Sequence, residues 1–140
     1  MKKYVRRWSG LLLAALCLVM AVSASAAVTP EGEKAEPRYV TVSVFDAELS
    51  IDSNGRSTSV ATVWVEASCS ADITMELQQR NGSRWETIKT WSDSGHRVTL
   101  DHGWYVESGY IYRVKLSAEV TDSTGKVIER PVSYSDTVKY

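Results

Sequence analysis

From residue 39 onward, apolar and polar side chains alternate along most of the chain. The rhythm is cleanest at Tyr110, Tyr112, Val114, Leu116, Ala118 and Val120, with Arg113, Lys115, Ser117 and Glu119 between them. A repeat of two puts successive side chains on opposite faces of a β-strand. The same repeat places Phe45, Ala47, Leu49 and Ile51 on one face of a strand over 39–51. It places Ala61, Val63 and Val65 on one face of a strand over 57–67, and Ile73, Met75 and Leu77 on one face of a third over 73–80. Further strands are predicted over 84–91, 96–100, 110–121 and 126–139, the last with Pro131 marking an edge or a bulge. Asn54-Gly55 and Asn81-Gly82 are hairpin turns, because both residue types tolerate positive φ. Asp122-Ser123-Thr124-Gly125 is a third turn, residues 68–72 a bend, and residues 92–95 and the Trp104-Tyr105 segment loops.

No apolar stripe at helical spacing interrupts this pattern. Beyond residue 26 the chain has 14 Val, 5 Ile and 11 Thr against 4 Leu. β-branched side chains suit a pleated surface and lose rotamer freedom in helices. A single sheet would leave one apolar face wet, whereas two stacked sheets bury both. The expectation is an all-β domain over residues 38–140, an antiparallel two-sheet sandwich of about seven strands.

The first 26 residues have a different character. A basic start (Lys2, Lys3, Arg6, Arg7) precedes twelve unbroken apolar residues, 11–22, and then Ala24-Ser25-Ala26. That order is the pattern of a secretory signal peptide cleaved near Ala26. The apolar run is short of the ~20 residues a membrane-spanning helix needs. Cys17 follows Leu16, where a lipidated cysteine would follow a small residue. Residues 27–37, with two Pro, one Gly and no hydrophobic rhythm, read as a flexible leader. The expected product is secreted, with no membrane insertion after cleavage.

Charge and cysteines narrow the chemistry. The whole chain has 16 Lys+Arg and 17 Asp+Glu. Four of the bases and none of the acids lie in residues 1–26, so the remainder has formal charge −5. A nucleic-acid role needs a basic face and is not expected. Cleavage would leave Cys69 as the sole thiol, so no intrachain disulfide forms. Small exported domains commonly rely on several bridges, and their absence points to a bacterial exporter. Cys69 stands among small residues (Ala67, Ser68, Ser70, Ala71) and reads as a half-buried packing group.

Catalytic patterns are weak. His96 and His102, with Asp93 and Asp101 nearby, would share a face on a continuous strand, but Gly103 and the adjoining loop interrupt it, and the pair reads as solvated. There is no Gly-x-Ser-x-Gly elbow, and no phosphate-cradling glycine loop. Paired carboxylates are commonplace among 17 acids and discriminate nothing. Asn81-Gly82-Ser83 spells a glycosylation sequon, read here as a turn. No enzyme activity, cofactor or metal is expected.

Aromatic residues stand above this background: Trp64, Trp85, Trp91 and Trp104, with Tyr105 beside the last. Exposed rings stack on the apolar faces of sugars, and the same rings elsewhere fill cores. Trp64 points outward if Val63 and Val65 point in, and Trp85 and Trp91 share a face if their strand is unbroken, with Ile88 opposite. These five are the candidate ligand-binding residues.

Val106, Gly109, Tyr112 and Val114 are spaced as in the corner between the fifth and sixth strands of fibronectin type III-like domains, which this segment resembles. The resemblance implies an immunoglobulin/fibronectin III-like sandwich in which the Tyr112 hydroxyl bonds the backbone at the corner. The family's corner Pro is Ser108 here, and its second-strand Trp has Trp64 as the nearest counterpart. More broadly, Leu77-Gln78, Gly82 with Trp85, Trp91-Ser92 and Gly109-Tyr110-Ile111-Tyr112-Arg113-Val114 resemble a group of small secreted β proteins of Gram-positive, clostridia-like bacteria. That group has no assigned activity, so the resemblance implies fold and location alone. The expected role is an extracellular module that binds a glycan or a protein. The alternative is a structural protein that self-associates through its strand edges.

Overall fold

Where the alternation is strongest, strands form, and polar turns either fold a strand back on the last or carry the chain across to a second sheet. The computed structural model describes residues 39–140. The strands are β1 (Val42–Ile51), β2 (Arg56–Val65), β3 (Ser70–Asn81), β4 (Arg84–Gly95), β5 (Arg97–Tyr105), β6 (Ile111–Thr121), β7 (Val127–Glu129), β8 (Val132–Tyr134) and β9 (Val138–Lys139). Asp52 shapes the first hairpin: its carboxylate accepts the backbone N–H groups of Asn54 (2.8 Å) and Arg56 (3.0 Å). Gly55 follows at φ +80°, packed so closely that a β-carbon would lie 2.9 Å from the Val106 carbonyl. Asp122 repeats the device, accepting from Thr124 and Lys126, and these bonds hold its carboxyl below the usual aspartate range.

The strands pair antiparallel into a sheet of order β1-β2-β5 and a larger sheet of order β4-β3-β6-β7, with β8 and β9 also on β6. The two sheets pack as an immunoglobulin/fibronectin III-like sandwich. Its dry interior is made by the inward half of each alternation: Ala61, Val63 and Val65 from β2, Ile73, Met75 and Leu77 from β3, Val98 and Leu100 from β5, and Val114, Leu116, Ala118 and Val120 from β6. Trp64, which precedes Val65, therefore faces out and does not enter the core. Tyr112 is fully buried, and its hydroxyl donates to the Glu107 carbonyl at 2.6 Å. That is the corner bond the fibronectin-like spacing implies, and burial pushes this hydroxyl's pKa above the ordinary tyrosine value. Cys69 is buried and free.

Three expectations are corrected. Residues 92–95 are not a loop but the end of β4, paired with Ala71–Thr74. Ser92, Asp93 and Ser94 are exposed on an edge strand, so their polarity imitates a loop while the ladder continues. Trp104 and Tyr105 lie within β5, opposite Ser57 and Arg56. Gly103 does not break the strand, and Arg56 lies across it, with Nε 3.0 Å from where a β-carbon would stand. The segment 126–139 is three short strands rather than one. Pro131 has no N–H for the ladder but still accepts from Ala118 N through its carbonyl (3.1 Å). After β8, the buried Ser135 hydroxyl accepts the Val114 N–H at 2.8 Å in place of a backbone carbonyl. The signal and leader assignments lie outside the described residues.

Candidate functional site

The strand register distributes the five candidate rings over three surfaces. A bulge in β4 decides two of them. Leu77 of β3 lies opposite Lys89, but Gln78 lies opposite Thr87, which leaves Ile88 as the extra residue. Trp91 is opposite the buried Met75 and so faces the inter-sheet side, while Trp85 is opposite the exposed Arg80 and faces outward. The strand is therefore broken in phase: Trp85 and Trp91 do not share a face, and Ile88 packs against the core with Trp91.

The first surface is the seam where the two free edges, β4 and β5, meet. His102 and Trp104 of β5 lie opposite the buried Ser59 and Ser57, and so point toward the seam. The Trp91 and His102 rings stack with centroids 5.2 Å apart and planes 5° from parallel. One step along, Lys89 Nζ lies 4.4 Å above the Trp104 ring, which stays 41% exposed. Beneath them, Ser57 donates to the Trp104 carbonyl (2.7 Å), and the buried Ser59 hydroxyl has no partner among the described residues. Two π-surfaces, an imidazole and an ammonium thus meet at a single edge. Such a place can stack a planar or ring-shaped ligand and hydrogen-bond it at the rim.

The second surface is the outer face of the smaller sheet. Trp64, with Arg97 5.1 Å from its ring, and Tyr105, 71% exposed, both lie here. They occupy rows eight residues apart along β2, which is about 27 Å in an extended strand, and do not converge on one small ligand. The third is the outer face of the larger sheet. There the Arg113 guanidinium lies near two rings, 4.1 Å from that of Trp85 and 4.2 Å from that of Tyr134. A hydrogen-bonded chain holds it. Arg113 Nε donates to Gln78 Oε1 (2.9 Å), Gln78 Nε2 donates to Thr87 Oγ1 (3.3 Å), and Thr87 donates to Glu76 (2.8 Å), which pairs with Lys115 (3.1 Å).

Sequence reasoning missed His102, Lys89, Arg113 and Tyr134 as partners of these rings. For Arg113 the local pattern carried a signal, since it alternates outward between Tyr112 and Val114. Its two stacking rings come from strands far away in sequence. Among the described residues no three His, Cys, Asp or Glu side chains gather as a metal site would require, and no helix is long and apolar enough to cross a membrane. No described protein family matches the chain, and no curated protein matches it in sequence.

Proposed function

We propose that the chain is a secreted, non-catalytic β-sandwich module that binds a glycan or a protein outside the cell, with the β4–β5 seam as its contact surface. The observation that carries this reading is the half-exposed Trp104 beside the Trp91–His102 stack, with Lys89 at the rim. Rings wholly given to the core would lie beneath the sheets, whereas these stand at the opening between them. A ligand ring seated on Trp104 would displace the Lys89 ammonium from it and gain an apolar face with polar neighbours. The amino-terminal pattern of bases, apolar run and Ala24-Ser25-Ala26 supports export. Self-association through strand edges has less support, because the bulge at Ile88 and the neighbouring Lys89 are features that blunt an edge.

Acrylamide quenching of tryptophan fluorescence, with and without glycans and extracellular proteins, tests the reading. The true ligand protects Trp104, and Trp104→Ala weakens its capture about tenfold or more. The reading fails if every ligand tried leaves quenching unchanged, if the captured ligand is chemically converted, or if the unprocessed chain is recovered from the cytosol.

A further inference from the structure

The outer face of the larger sheet carries a second arrangement, and its parts are unusually well fixed for a surface. Arg113 Cζ lies 4.1 Å from the Trp85 ring and 4.2 Å from the Tyr134 ring, and its Nε is anchored by Gln78, itself 6% exposed. Gln78 is oriented in turn by Thr87 and Glu76. Among the described residues the Nη groups have no hydrogen-bond partner, so the end of the guanidinium fork remains open. A guanidinium held this way has lost its rotational freedom before any ligand arrives, and its paired N–H groups match the two oxygens of a carboxylate or sulfate.

Further along the same face the chemistry changes. Thr74 of β3 and Ser117 of β6 are opposite one another, four residues from the Gln78–Arg113 row, which is about 13 Å. They floor a shallow hollow of about 260 Å³, bounded by Asp72, Glu119, Arg130 and Val132. That is below the ~300–1,000 Å³ of a typical whole-ligand pocket, and it suits one ring of a longer chain. Hydroxyls there donate to and accept from a polyol and carboxylates accept from it. Arg130 pairs with Glu119 at 3.1 Å, so Asp72 leaves the hollow net negative and disfavours a second anion. Tyr134, 38% exposed, stands between the two places, opposite Lys115.

We propose that this face binds an acidic oligosaccharide, with a carboxylate- or sulfate-bearing sugar on Arg113 and a neutral, hydroxyl-rich sugar in the Thr74–Ser117 hollow. A uniformly anionic chain, such as polyphosphate, would put charge against Asp72. An acidic peptide would meet the same carboxylate, and over the Gln78–Arg113 and Thr74–Ser117 rows it would find no strand edge, since β3 is paired on both sides by β4 and β6, and β6 by β3 and β8. The inference rests on the reading of a binding module outside the cell, and adds a surface separate from the seam.

The test is calorimetric titration of the full chain with hyaluronan oligosaccharides, which alternate a uronate and a neutral N-acetylated sugar. Chitin oligosaccharides of equal length, polyphosphate and polyglutamate are the comparison probes. Hyaluronan is expected to bind about tenfold or more tighter than each comparison probe. Arg113→Lys keeps the charge but loses the planar fork, and Ser117→Val fills the hollow. Each is expected to weaken binding about tenfold with the circular dichroism preserved and the melting temperature lowered by only a few degrees, while Thr62→Ala on the opposite sheet changes nothing. Hyaluronan binding that is absent, unaltered in both folded variants, or matched by polyphosphate or polyglutamate overturns the proposal. Weakening by Trp104→Ala with Arg113→Lys unaffected also overturns it, by assigning the glycan to the seam, and leaves the seam reading intact.

Discussion

Trp85 and Trp91 leave the same strand six residues apart and end in unlike surroundings. Trp85 lies on the outer face of the larger sheet and stacks on an anchored guanidinium. Trp91 turns to the inter-sheet seam, stacks on His102 and packs against the core. Side-chain type does not separate them. A single extra residue does, because the bulge at Ile88 shifts the phase of β4 by one, and a shift of one exchanges the faces. One surface is thereby a polar network over a finished sheet, and the other a rim over the hydrophobic interior. The first is held by hydrogen bonds and cation–π contacts, the second by burial.

The largest effect should come from lengthening the bulge. Inserting one Ala after Ile88 puts one half of β4 out of phase with β3, so that either Trp85 leaves Arg113 or Trp91 leaves His102. Urea unfolding should show a loss of about 3 kcal/mol or more, with a changed tryptophan emission maximum. An unchanged spectrum and midpoint would mean that the bulge does not set the two environments.

Tyr112→Phe tests the buried side. It removes the donor to the Glu107 carbonyl and should cost about 1–2 kcal/mol in denaturant unfolding. The folded-state pKa of Tyr112 is raised, so the neutral hydroxyl's contribution is fully present below the unfolded value near 10 and is lost as pH rises through the folded value. Melting temperature should therefore fall in strong alkali, and the phenylalanine variant should fall less steeply over that window.

On the outer face, Arg113→Gln removes two cation–π contacts and the bond to Gln78, for an expected loss of about 1 kcal/mol. The same substitution should leave the Trp91–His102 stack untouched, which the ring-current shift of the His102 protons in NMR spectra can check. The smallest effect is expected at Arg130→Ala. Its pair with Glu119 at 3.1 Å is well exposed on both sides, so thermal unfolding should shift by less than about 0.5 kcal/mol.

Much of the fold was legible along the chain because burial on one side of a strand writes itself as a repeat of two. The inward residues of β2, β3 and β6 were readable for that reason, and the Asn-Gly turns because few residues accept positive φ. The end of β4 was not readable: Ser92 and Ser94 lie on a wet outer face at a sheet edge, where strand and loop have the same composition. Trp104 looked like loop for a related reason, since Gly103 suggests a break and only the pairing of β2 with β5 carries the strand through. The bulge left no mark at all, because Thr87-Ile88-Lys89 holds neither Gly nor Pro. Pro131 did mark the interruption of the last strand, though not its division into three.

The amino-acid sequence alone determined an all-β domain and the faces that turn inward on most strands, because both follow from local spacing, and its resemblance to a fibronectin type III-like corner pointed to the tyrosine that pins it. Only the tertiary structure decided which surface each tryptophan occupies and which cation or ring stacks on it. Those pairings join strands far apart in the chain, and their phase depends on a register that packing of the two sheets selects.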